Sequence, residues 1–167
     1  MDKFKVLVKY FLLHYPKKED LSASRLTKLV YLSDWKNVLE HDEQLTETKW
    51  YFNHYGPYVD HLTEISNQND SGIVATETLN AFGGKKKCFN LKSSSSANNQ
   101  ELLQLSRDEK NILDFVISKT QDKNYDDFIR LVYSTYPVAN SAKYSDLDLV
   151  ALGCEYKHML KSNTVRH

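Results

Sequence analysis

The chain has 167 residues, enough for one domain with a hydrophobic core, and is 41% hydrophobic and 26% charged. Lys plus Arg and Asp plus Glu are 22 each, so the basic surplus that general nucleic-acid binding draws on is missing and that role is not expected. Cys88 and Cys154 make no metal-ligand spacing, which suits reduced thiols in a cytoplasmic protein.

The opening MDKFKVLVKYFLLHYPKK carries Phe4, Leu7, Val8, Phe11 and Leu12 at helical spacing, with Pro16 as a stop. This predicts a helix over 2–15. Lys9 interrupts the apolar run and no small-residue cleavage site follows, so the segment does not read as a signal peptide. No run reaches the ~18 apolar residues of a membrane span. A second helix is predicted over 24–40, capped by Ser22 or Ser24. Its apolar residues (Leu26, Leu29, Val30, Leu32, Trp35, Val38, Leu39) cover more than one face, which places it at the centre of the core.

After the turn HDEQ, residues 46–53 read as a strand rich in Thr, Trp, Tyr and Phe. Trp50 and Phe52 alternate toward the core, with Tyr51 and Asn53 pointing the other way. Gly56-Pro57 ends the strand, and Pro57 is expected in the first turn of a third helix running to about Asn67, with Val59, Leu62 and Ile65 inward. The runs IVATETLNAF and CFNL flank GGKKK and predict a hairpin with Lys85, Lys86 and Lys87 at its tip. KSSSSANNQ, 92–100, reads as a mobile polar loop.

Ser106 with Glu109 is a capping box, followed by Ile112, Leu113, Val116 and Ile117 on one face. Asn124 caps the next helix, lined by Phe128, Ile129, Val132 and Tyr133 and closed by Pro137. Residues 140–145 form a loop. Ser145 with Asp148 opens a last helix with Leu149, Leu152, Tyr156 and Met159 or Leu160 inward. The expected fold is α+β and mainly α-helical: a single compact domain over 1–163, about six helices, and a small antiparallel sheet of one strand plus a hairpin. Residues 164–167 are expected to fray. The first half has the element order of a winged helix.

Catalytic constellations are missing from the sequence. There is no phosphate-binding glycine loop, no His-Glu-x-x-His and no nucleophile elbow, so neither an enzyme nor a cofactor is expected. His54, Asp60 and His61, with His41 and Asp42, offer metal-ligand chemistry. The Gly-Pro break separates them, and no metal is expected. Lysines could activate Cys88, but no base follows it in sequence; Cys154 reads as helix packing. Lys85–Lys87 reads as a phosphate-touching wing or a solvated turn.

One set of residues points to a family. Leu26, Lys28, Leu29, Tyr31 and Trp35, then Trp50 and Tyr55-Gly56-Pro57, resemble the Panacea domain of SocA-like antitoxins. RLVYSTYP (Arg130–Pro137, with Tyr133) and YSDLDLVALGCEYK resemble its second half. The resemblance implies a bacterial or phage antitoxin that neutralises a protein toxin by direct contact, notably toxic small alarmone synthetases. One branch acts as an adaptor that delivers its toxin to a protease. Extra N-terminal domains are common in the family, and here such an extension is expected to be absent or very short. The cognate toxin is then the expected partner, a protease a second one, and a winged-helix nucleic-acid regulator the alternative. The candidate recognition helix, 57–67, contains no Lys or Arg, which counts against DNA reading. Tyr51, His54, Tyr55 and Tyr58 remain as candidate partner-binding residues, since tyrosines bury much area and keep a polar tip. The alternative is that they cap the core edge.

Overall fold

The computed structural model describes residues 2–92 and 100–165. The fold is α+β and mainly helical, as the periodicities predict. Helix α1 (Lys3–His14) starts on Asp2, whose carboxylate accepts from the Lys5 N–H at 3.2 Å. Helix α2 (Ala23–His41) starts on Ser22 and ends at Asp42 in the left-handed region, φ 61. From Arg25 to Asp34 every residue of α2 is buried. The helix is the axle of the fold, packed against α1 and against three helices of the second half of the chain.

An all-round buried helix must also satisfy its polar residues. Arg25 donates to Tyr15 Oη and to the carbonyls of Thr120 and Lys123, each at 2.9 Å, with its guanidinium 4.5 Å over the Phe128 ring. Asp34 accepts from the Thr46 N–H, the Thr46 hydroxyl and the Trp50 indole. The strand expected over 46–53 is therefore shorter, β1 (Trp50–Asn53), because Thr46 and Thr48 hydrogen-bond in the Asp34 loop rather than in a ladder.

The expected helix start at Pro57 is not found. Gly56–Tyr58 forms β2, antiparallel to β1. A proline is tolerated there because β2 is an edge strand and its missing N–H breaks no interior ladder. Helix α3 begins only at His61 and ends at Ser66, with Leu62 and Ile65 buried and Val59, ahead of it, half-buried.

The hairpin of β3 (Ile73–Leu79) and β4 (Lys85–Leu91) forms as predicted, in full register from Ile73↔Leu91 to Leu79↔Lys85. Its tip is the turn 80–84, not the lysine run; the three lysines lie within β4. β1 does not join this hairpin. It pairs instead with β2 and with a short strand unmarked in the sequence, β5 (Asp146–Leu147), in the order β2-β1-β5. The expected single sheet is two sheets, and the winged-helix arrangement is not formed.

Helix α4 (Arg107–Thr120) has the complete capping box of Ser106 and Glu109. Helix α5 (Tyr125–Ser134) is capped by Asn124, and Pro137 sits inside the short α6 (Tyr136–Ala139) rather than closing α5. Helix α7 (Leu149–Val165) follows β5, with the Ala151 N–H bound to Asp148. It packs on α2 through Gly153, where a Cβ would clash with Val38. Met159 and Leu160, one of them expected inside, are both exposed, because the last turns of α7 pass the end of α2 at the Lys157–Asp42 pair. Cys154, expected to pack, is exposed as well. The mobile-loop reading falls on 93–99, which lie outside the described residues, as does the end of the frayed tail.

Candidate partner-binding site

The aromatic stretch of the sequence becomes the β1–β2 hairpin. His54 and Tyr55 form its two-residue turn between the pair Asn53↔Gly56. Neither has a positive φ; Gly56 supplies it, at 104°. A Cβ there would lie 3.4 Å from the Tyr133 ring and 3.6 Å from Lys28 Cε, in van der Waals contact, so the positive φ is what asks for glycine. Trp50 and Phe52 are buried and Tyr51 and Asn53 exposed, as the period of two predicts.

The four candidate residues are brought together. Tyr51 stands directly opposite Tyr58 in register, which puts both on one face of the ribbon. Tyr55 is 70% exposed at the turn, with the His54 ring edge-on to it at 4.5 Å. His54 Nδ1 hydrogen-bonds Tyr144 Oη at 3.2 Å. Tyr144, the first residue of YSDLDLVALGCEYK, lies in the left-handed region at φ 65, and its place beside the hairpin has no local signal. Its N–H donates to the Phe52 carbonyl, so pairing across the sheet carries it to the hairpin.

Beside the turn lies an open cleft of about 330 Å³ between Tyr55 and α5, lined by Tyr125, Asp126, Ile129, Arg130 and Tyr133. Tyr133 packs edge-on against Phe52 at 5.9 Å. Behind the cleft, Lys28 is buried. Its ammonium donates to Ser24 Oγ at 3.0 Å, and Ser24 Oγ bonds Tyr125 Oη at 3.0 Å. The Tyr58 ring lies 6.0 Å from the ammonium. No carboxylate pairs with Lys28 among the described residues, and burial pushes its pKa down to about 8. Burial, then Asp60, raise the Tyr58 phenol; burial, then Tyr125, raise that of Tyr133. The surface is thus rich in protonated phenols, which bury apolar area and keep a donor.

The metal candidates are dispersed. His61 bonds Asp2 at 2.7 Å and Glu64 at 3.1 Å, His54 bonds Tyr144, and Asp42 pairs with Lys157. Among the described residues no cluster of ligating side chains could hold a metal. Cys88 is half-buried in β4 with Thr78 Oγ1 3.9 Å from its sulfur.

Residues 26–137 match the family described as Antitoxin SocA-like, Panacea domain. The chain belongs to this family. The role that membership brings is antitoxin-like rather than that of an enzyme family. No curated protein and no solved structure matches the chain. The motif residues of this Panacea domain build the scaffold under the hairpin. Leu26, Leu29, Tyr31, Trp35 and Trp50 are buried, and Tyr31 stacks edge-on against Trp50 at 5.5 Å. Tyr31 Oη meets Thr135 Oγ1, joining α2 to α5, and Pro137 is buried in α6. The matched span ends at Pro137, so α1, β5 and α7 lie outside it, including the stretch from Tyr144 to Lys157. Among the described residues no helix is long and apolar enough to cross a membrane.

Proposed function

We propose that the protein is an antitoxin that neutralises a protein toxin by direct contact, and that the β1–β2 hairpin with the adjoining face of α5 is the contact surface. The observation that carries this is the solvent-facing turn: Tyr55 is 70% exposed over an open aromatic cleft. Tyr55 is not a lone exposed aromatic: Tyr51 and Tyr144, on either side of the turn, are exposed as well, and it is contiguous patches that mark interaction sites. Tyr51, His54 and Tyr58 flank it, and Arg130 offers an exposed cation on the wall of the same cleft.

A toxic small alarmone synthetase is the toxin class that the family suggests. The nucleic-acid regulator loses its support, because the wing hairpin and β1 lie in different sheets. Delivery to a protease has the same binding step and differs in outcome.

The test is co-expression with a small alarmone synthetase toxin, with growth and complex formation as readouts. A stable complex of at least ~1,000 Å² buried area is expected, with Tyr55→Ala weakening it by about 2 kcal/mol. Full neutralisation by a Tyr51→Ala, Tyr55→Ala, Tyr58→Ala triple variant would remove this surface. Toxin half-life with and without the antitoxin separates blocking from degradation.

A further inference from the structure

A second surface, independent of the hairpin, lies on the other side of α5. There α2, α4 and α5 leave an open groove of about 460 Å³. Its floor is apolar: Leu32, Trp35 and Leu39 from α2, Val116 from α4 and Leu131 from α5. Phe115 stands on its edge, 40% exposed.

The rim is cationic. Lys36, Lys119 and Lys123 line the groove, and no acidic residue does. Lys36 and Lys119 rest over the Phe115 ring, at 4.2 Å and 5.5 Å. Lys36 also meets Glu40 at 3.1 Å, one turn along α2. Among the described residues no carboxylate pairs with Lys119 or Lys123. The chain as a whole is neutral, so this positive concentration is local to the groove.

We infer that the groove docks an acidic amphipathic helix of a protein partner. A trough between helices with an apolar floor takes apolar side chains spaced at i, i+3 or i+4 and i+7. The flanking positions of such a helix then meet the three lysines, and Asp or Glu there completes the charge pairs. Phe115 is the aromatic anchor that the incoming helix would cover, displacing water from the ring and from the lysine stems.

The experiment uses the full chain and a fluorescein-labelled designed helix of ~18 residues, with Leu on one face and Glu flanking it. A second peptide carries Lys at every Glu position. Anisotropy is read against protein concentration at low and high salt. The acidic peptide is expected to bind, more weakly in high salt, and at least about tenfold more tightly than the basic one. Lys119→Glu with Lys123→Glu should invert that preference, and Phe115→Ser should weaken the acidic peptide by roughly thirtyfold. Unchanged circular dichroism and melting temperature establish that each variant folds. Three outcomes overturn the inference: equal binding of both peptides, no binding of either, or binding that the groove variants leave unmoved. Sedimentation showing a dimer that Phe115→Ser dissociates would overturn it too, because the groove would then be covered by a second copy. So would binding to anionic vesicles with the same lysine dependence and none to the peptide.

Discussion

The indole N–H of Trp50 donates to Asp34 Oδ2 at 2.9 Å, and both side chains are buried. Thr46 gives the same carboxylate its backbone N–H at 2.9 Å and its hydroxyl at 2.5 Å. Gln44 Nε2 adds a longer contact at 3.3 Å. Burial pushes the Asp34 carboxyl up to about 6 against the pull of these donors, so it is ionised at neutral pH and accepts from all of them. The pair fixes the loop after α2 and sets where β1 begins. Asp34→Asn replaces one acceptor oxygen by a donor facing donors, and should destabilise the fold by about 2 kcal/mol at pH 7. Trp50→Phe removes one donor and keeps most of the volume, so its loss should be nearer 1 kcal/mol. Urea denaturation of the two variants checks the order; equal losses would show that packing, not the carboxylate, dominates.

Lys28 is held against the stability of the fold. Its pKa falls from 10.5 in the unfolded chain to about 8 when folded. Between those values the unfolded state binds more protons, so stability rises with pH across that window. Below pH 8 the buried ammonium costs the fold up to about 3 kcal/mol. Lys28→Met keeps the stem and removes the charge. It should be more stable than the parent at pH 7 by about 1–3 kcal/mol, with the gap closing as pH approaches 10. Lys28 is buried and does not line the cleft, so the same variant should bind the toxin as tightly as the parent. Denaturation at pH 7 and pH 9.5, paired with toxin binding, reads both halves.

The helices were legible because caps and apolar spacing are local signals. Ser106 with Glu109 and Asn124 start their helices where the sequence marks them. What was not legible depended on partners far along the chain. Pro57 has the same local meaning at a helix start and on an edge strand; only pairing with Phe52 decides between them. β5 is two residues long and exists because Trp50 and Tyr51 lie opposite it. Asp34 gave no sign of its role, since its donors sit 12 and 16 residues away. At the candidate site, the alternation of Trp50 and Phe52 was readable. The place of Tyr144 and the Lys28–Ser24–Tyr125 chain were not, because the Tyr144–Phe52 pairing and the approach of α5 to the hairpin exist only in the folded molecule.

Gly56 answers a conformational demand. At φ 104° an L side chain is strained whatever room it has. A methyl would meet the Tyr133 ring at 3.4 Å, a van der Waals contact, so the strain lies in the backbone. Gly56→Ala should cost about 1–3 kcal/mol through the strained turn, with Tyr133 left in the cleft. Near-ultraviolet circular dichroism and thermal melting check this. A variant as stable as the parent would mean that the turn rebuilds around another residue.

His61 links the start of α3 to the start of α1. Its Nε2 lies 2.7 Å from Asp2 and its Nδ1 3.1 Å from Glu64, with the Phe4 ring edge-on at 5.1 Å. Burial acts to lower its pKa, but Glu64 and Asp2 together outweigh that, and the net shift is upward from 6.5. A group whose folded pKa is raised stabilises fully below its unfolded pKa. That contribution is lost as pH rises through the folded value. His61→Gln should therefore lower stability by about 0.5 kcal/mol at pH 5.5, the scale of an exposed ion pair, and by less at pH 8.5. Asp2→Asn should remove only part of the pH dependence, because Glu64 remains, and should leave the α1 cap in place, since Asn caps as well as Asp. Melting curves at pH 5.5 and pH 8.5 for the parent and both variants test the sign. A His61→Gln penalty that grows with pH would show that the neutral imidazole, packed on Phe4, is the form that stabilises.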